Sequence, residues 1–337
     1  MAKIVLAMAT THGPQLHTTV EQWSLRVKAD KSRRHPFRGG EHSFDELVAL
    51  RRAEGLDAKS TFEAMTAYHQ RCHVAMDKLA DKWAAVGADV AVLLGNDQTE
   101  IYDTDTLNPA FMVFYGDTIP HYPANAEWQK KMGPGTAEAE MGHATPRRVE
   151  YQGCPALGRH IIETLNAREF DVASSKAGPK DAKNGASHAF GHIYRQVMRD
   201  QVVPNVPVFQ NTFYPPNQPT AKRAYDFGRV VRDAIDSWDS DARVAIIASG
   251  GMSHFVIDET FDRKFVAALK AKDKAALTAI PLAELQSGTS ELKSWISLAG
   301  ALEPFQTTMH ELDYVPCYRS PAGTGTANGF YWWDIKG

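Results

Sequence analysis

The sequence predicts an α/β fold: a single domain with a central mixed, mostly parallel sheet flanked by helices, plus lid-like insertions. Three observations predict it. Short, apolar, β-branched runs recur along the chain, each run ends in a polar loop bearing glycine, histidine or amide side chains, and helical patterns separate the runs. Uninterrupted apolar strands suit a sheet covered on both faces, and strand–helix alternation suits parallel pairing. The 337 residues allow one large or two ordinary domains at roughly 150 residues each, and the steady rhythm favours one unit over 1–337.

The first strand is residues 4–8, which run into Thr10, Thr11, His12, Gly13 and Pro14. Residues 24–60 break the rhythm with charges, His35-Pro36, Gly39-Gly40 and little apolar periodicity, so they read as a surface insertion. A helix follows over 61–86, where Met65, Cys72, Met76, Leu79 and Trp83 fall on one stripe. The run 90–94 is the next strand and enters Gly95, Asn96, Asp97 and Gln98. Residues 115–150, rich in proline and glycine, read as a second insertion. Another strand at 206–209 leads into Gln210, Asn211 and Thr212, and a helix over 221–238 turns Tyr225, Val230, Ala234 and Trp238 inward. The strand 243–248 enters Ser249, Gly250, Gly251, Met252, Ser253 and His254. Helices over 261–277 and 291–302, a glycine-rich turn at 323–329 and an aromatic strand at 330–333 complete the set.

Composition narrows the function classes. Apolar residues make up 43% and charged residues 23%, and 37 basic against 40 acidic side chains leave a net charge of −3, ordinary values for a soluble protein. Nucleic acid is not the expected partner, because phosphate binding needs a concentrated basic surface. Cys72, Cys154 and Cys317 are too scattered for a disulfide framework or a cysteine-rich zinc site, which fits a reducing compartment, the cytoplasm. The first residues lack the pattern of a signal peptide, and no apolar run approaches the roughly 18 residues of a membrane span.

In α/β sheets, ligands gather outside the carboxyl ends of the strands. That rule selects His12, the Asn96-Asp97-Gln98 triplet and His254, each directly after an apolar strand. A lone histidine is usually a hydrogen-bonded structural residue. Two histidines and an amide-rich turn at successive strand ends instead suggest one cleft. His188, in a glycine-bearing turn before a helical pattern, is a further candidate. His69 and His73 have the i, i+4 spacing of a metal pair, but Gln70 stands where the zinc-protease pattern carries glutamate, and partial burial beside Met65 and Met76 accounts for them. Glu291, near a helix start, suits the helix dipole on its own. The turn at 323–329 lacks the Lys-Ser/Thr end of a phosphate loop, and there is no Gly-x-Ser-x-Gly elbow.

These segments carry a resemblance. Thr11-His12-Gly13-Pro14, Gly95-Asn96-Asp97-Gln98, Ser187-His188, Asn211-Thr212-Phe213-Tyr214-Pro215-Pro216, Gly250-Gly251-Met252-Ser253-His254, and Glu291 with Trp295 are similar to class III extradiol ring-cleaving dioxygenases. That superfamily includes the protocatechuate 4,5-dioxygenase β subunit and the gallate and 3-O-methylgallate dioxygenases. The likeness runs from residue 3 to about 333. It implies a non-haem Fe(II) enzyme that opens the ring of a catechol-type aromatic acid (3-O-methylgallate, gallate or protocatechuate-like) with O2. By the same resemblance, His12, Gln98 and Glu291 occupy the metal positions, and His254 is the active-site base. His188 is a second active-site histidine, and Asn96, Thr326 and Asn328 are substrate contacts. A homodimer is also implied, and the two insertions are expected to cover the cleft where a relative uses a helical partner subunit.

One position departs from the family pattern, which has a histidine where this chain has Gln98. An amide oxygen is a harder and usually weaker donor than imidazole nitrogen. Three readings therefore stand: Gln98 binds the metal through oxygen; another histidine, such as His254, His17 or His143, completes the site; or the metal has been lost and the fold reused. Two other functions stay open, a metal-dependent hydrolase or other ring-modifying enzyme on the same scaffold, and a metal-free aromatic-acid-binding protein using Trp332, Trp333, Phe213 and Tyr214.

Overall fold

The apolar runs form the centre of the molecule, and their continuity follows from being covered twice. The structure, a computed structural model, describes residues 1–102, 105, 107–133, 135–178 and 185–336. Among them, nine strands form one sheet: β1 (Lys3–Thr10), β2 (Val90–Gly95), β3 (Phe111–Phe114), β4 (Ala173–Ser175), β5 (Asn205–Gln210), β6 (Arg243–Ser249), β7 (His254–Val256), β8 (Gln306–Tyr318) and β9 (Thr324–Lys336). Its parallel core runs β1, β6, β2, β5. β3 joins β5 antiparallel, and β4 joins β3 in parallel. On the far side, β9 pairs antiparallel with β1 through residues 330–333 and with β7 through 324–326, while β8 lies along its other edge. The fold is therefore the α/β architecture read from the sequence, a mixed sheet with a parallel centre.

The principal helices are α1 (Trp23–Lys31), α2 (Phe44–Leu50), α3 (Phe62–Val86), α4 (Pro155–Ala167), α5 (His188–His192), α6 (Ala221–Ser237), α7 (Glu259–Ala271) and α8 (Leu292–Ala301). Successive strand residues point to opposite faces. Val92 and Ile246 thus join a core with Leu157 of α4, Phe227 of α6 and Trp295 of α8. Their neighbours Leu93 and Ile247 meet Leu79 and Trp83 of α3 and Phe190 of α5 on the other face. Every residue of β2 and β5 is buried. α3 starts where the Thr61 side chain accepts from the Ala64 amide and stops at Gly87, which has a φ of +59° that glycine adopts without strain.

The irregular segments are more ordered than their composition suggests. Residues 24–60 hold most of α1, the hairpin His35–Phe37 with Gly40–His42, and α2. α1 shows no apolar stripe because it buries Arg26 and Asp30, and Asp30 accepts two hydrogen bonds from Arg319 at 2.8 and 2.9 Å. Phe37, Phe44 and Leu47 pack on Val256 of β7. In the second segment, Thr118–His121 pairs with Val149–Gln152, and Arg26 reaches across to donate to Thr136 at 2.7 Å. The helical pattern over 261–277 is divided: α7 ends at Ala271, Lys272 takes a φ of +54°, and a short helix follows at Lys274–Thr278. None of the described helices is long and apolar enough to cross a membrane.

Candidate metal centre

The carboxyl ends of β1, β2 and β6 and the start of α8 converge on one buried cluster. His12 lies two residues past β1 and is 4% exposed. Its Nδ1 donates to Ser249 Oγ at 2.8 Å, because the serine proton goes to the Ala189 carbonyl at 2.7 Å. The Nε2 lone pair is thereby fixed toward the cluster, the way an outer partner sets the tautomer of a ligating histidine. It stands 3.1 Å from Glu291 Oε2 and 3.1 Å from His188 Nε2. Burial lowers the His12 pKa against the pull of Glu291.

Glu291 ends the 3₁₀ turn Ser287–Glu291 that opens α8 and is 1% exposed. Its Oε2 accepts from the Gly251 amide at 2.7 Å, and its Oε1 accepts from Gln98 Nε2 at 2.7 Å and Asn96 Nδ2 at 3.3 Å. Burial alone would raise its pKa, but His12, then His254 and His188, hold it well below the usual carboxylate range. Gln98 therefore meets the cluster through its amide nitrogen, turned to the carboxylate.

His188 begins α5, and its Nδ1 donates to Glu100 Oε2 at 2.6 Å while its backbone amide donates to Glu100 Oε1 at 3.0 Å. Burial works against its charge, yet Glu100 overcomes that and raises the pKa to about 9. Glu100 in turn is held at about 2, its burial outweighed by His188. In this charged form His188 Nε2 donates to the bare Nε2 of His12. The ligand atoms of His12, His188 and Glu291 lie within 4.8 Å of one another, the one such triple of His, Cys, Asp or Glu among the described residues.

His254 stands beside this triple, with Nε2 at 3.8 Å from Glu291 Oε2. Its Nδ1 donates to the Met252 carbonyl at 2.7 Å, leaving Nε2 bare, and burial lowers its pKa despite Glu291. Two glycines make room for the ring: a Cβ on Gly251 would sit 1.9 Å from His254 Cε1, and one on Gly288 would sit 1.9 Å from Cδ2. Asn96 Oδ1 is buried with no hydrogen-bond partner among the described residues. Asn328 accepts from Thr11 Oγ1 at 3.0 Å and donates to the Thr326 carbonyl at 3.2 Å, and Thr326 packs over Gly13 beside His12. His17 bonds His192 at 3.1 Å, and the ring of His143 is centred 6.0 Å from that of His188, so neither belongs to the triple.

Ser249 and Glu100, which set the two histidines, were not singled out in the sequence. Glu100 had a signal there, a carboxylate two residues beyond Gln98 in the same strand-end loop.

The family described as the catalytic LigB subunit of aromatic ring-opening dioxygenase matches residues 131–322, more than half of the chain. That span contains His188, His254 and Glu291, and His12 and Gln98 precede it. A gallate dioxygenase of Pseudomonas putida is 32% identical over 182 residues, 49% of this chain and 50% of that protein, so the chain spans about half the length of this relative. An uncharacterized protein from Escherichia coli K12, known from a crystal structure, aligns with a TM-score of 0.44 and 13% identity over 76% of this chain and 91% of that one. With a family match over residues 131–322, more than half of the chain, the chain belongs to the family of catalytic LigB subunits of aromatic ring-opening dioxygenases.

Proposed function

We propose that this protein is a non-haem Fe(II)-dependent extradiol dioxygenase that opens the ring of a catechol-type aromatic acid, of the gallate, 3-O-methylgallate or protocatechuate kind, with O2. The observation that carries the reading is the gathering of His12, His188 and Glu291 within 4.8 Å. Two imidazoles and a carboxylate are the donor set that suits ferrous iron with open positions. The donors fit a cation in detail. His12 offers a bare Nε2, His188 is braced by a carboxylate as ligating histidines usually are, and Glu291 is ionised. The His188 proton facing His12 supplies the positive charge that a bound cation would replace.

In this reading His12, His188 and Glu291 hold the metal, and Gln98 and the Gly251 amide hold Glu291. Gln98 then acts as a donor to the carboxylate, and His188 takes the imidazole position that Gln98 leaves open. Held by these three residues, a ferrous ion would supply one centre for catecholate and O2 and relax the spin barrier between them. The protein supplies the proton chemistry. His254 is neutral with Nε2 bare, so it removes a catechol hydroxyl proton and returns it as the ring opens. Asn96 Oδ1, which has no partner among the described residues, accepts from a substrate hydroxyl. Asn328 and Thr326 line the His12 side of the substrate. The segments 24–60 and 115–150, tied by Arg26 and Thr136, cover the cleft in cis. The protein works in the cytoplasm as a homodimer, a setting that suits its free Cys72, Cys154 and Cys317.

The test is metal analysis with oxygen uptake on a panel of catechol acids, using the chain expressed alone. The reading expects iron bound by each chain and uptake with at least one member of the panel. Metal without uptake would point to hydrolase-type chemistry, and neither metal nor uptake to a binding protein.

A further inference from the structure

His69 and His73 have no part in the chemistry above. They stand one turn apart on α3, half-buried, with Nε2 atoms facing each other at 3.1 Å. Two nitrogens bound to one ion at about 2.0–2.1 Å are separated by about 3.3 Å at a tetrahedral angle and about 2.9 Å at a right angle. The observed separation, which also lets one ring donate to the other, falls between these and matches the bite of a single ion. Burial, followed for His69 by the neighbouring His73, lowers both pKa values, so both rings are neutral near pH 7 and carry lone pairs.

The surroundings suit a cation as well. The pair lines a surface cavity of about 720 Å³ whose wall also carries His17, Glu21 and Gln196. The Glu21 carboxylate is near enough to act on His69. Imidazole pairs select zinc, copper and nickel over the harder magnesium and calcium. Gln70 occupies the place where a zinc protease carries its general base, so the pair is suited to holding an ion and not to hydrolysis.

We propose that His69 and His73 form a second metal site, a two-histidine chelate on α3 for a borderline divalent cation such as zinc, with water from the cavity completing the coordination. This does not depend on the dioxygenase reading, and the test keeps the two apart. Zinc uptake is measured by equilibrium dialysis on the full chain carrying His12→Ala and Glu291→Gln, which empties the other centre. That protein is expected to retain one zinc, and adding His69→Gln or His73→Gln is expected to weaken it on the order of tenfold or more. Circular dichroism checks folding, and since either glutamine variant suffices, the folded one decides. Copper in the same background is expected to give an electron spin-echo signature of two imidazole nitrogens. Zinc uptake unchanged by both glutamine variants, no zinc in their parent, or a copper signal with fewer than two imidazoles would overturn the site.

Discussion

Each side chain that faces the candidate centre has its orientation set by a partner facing away from it. Ser249 leaves His12 only one tautomer, and Glu100 fixes the His188 ring while favouring positive charge between the two rings. Such outer partners are typically worth about 10–100-fold in metal affinity. Ser249→Ala and Glu100→Gln should each weaken Fe(II) binding by about that factor in an anaerobic titration, while His188→Ala should abolish it. His254→Ala should keep iron and lose turnover by about 10²–10⁴-fold, the usual worth of a general base. Among the candidates, His12 and His254 stand out in the sequence as strand-end residues and His188 as a turn histidine, whereas Glu291 stands out only through the family resemblance. The role of Glu100 was not legible there, since a hydrogen bond across 88 positions of sequence leaves no local pattern.

At the level of elements, the site depends on turns that pass close to the His254 ring. A side chain on Gly288 would overlap His254, so Gly288→Ala should displace that ring, leaving iron content near wild type and activity sharply reduced. The strand bearing His254 is also pinned from behind. Asp262 of α7 accepts from the Ser253 amide at 2.9 Å, from Ser253 Oγ at 2.6 Å and from Tyr314 Oη at 2.8 Å. Burial pushes its pKa up to about 7 from an ordinary 3.8. The folded protein therefore binds a proton that the unfolded chain releases, and this contribution is lost as pH climbs from about 4 to about 7. Asp262→Asn should gain thermal stability relative to wild type across that range, read as the difference between their melting temperatures at each pH. Strands β1, β2, β5 and β6 were legible because double coverage writes them as apolar runs. β8 was not, because the outer half of the strand is only partly buried and carries no such run. α1 was hidden for the opposite reason, its buried face being built on the Asp30–Arg319 ion pair.

For the molecule as a whole, the sheet is the support against which the centre is held, and its strength comes from packing on both faces. Phe111 of β3 and Phe227 of α6 stack with ring centres 4.0 Å apart in the larger core. Phe227→Ala should cost about 3–5 kcal/mol in denaturant unfolding, with Fe(II) binding preserved wherever the variant remains folded. The α/β class and the convergence of strand ends could be read from the sequence. Which imidazole stands opposite Gln98 could not, because that depends on how α5 enters beside β1. The measurement that bears most directly on the account is a crystal structure of the anaerobic Fe(II) protein with anomalous scattering recorded at the iron edge. The account predicts one iron peak bonded to His12 Nε2, His188 Nε2 and a carboxylate oxygen of Glu291, with the Gln98 amide nitrogen still on Glu291. Iron bound by the Gln98 oxygen with His188 outside bonding distance, or no iron beside Glu291, would contradict it.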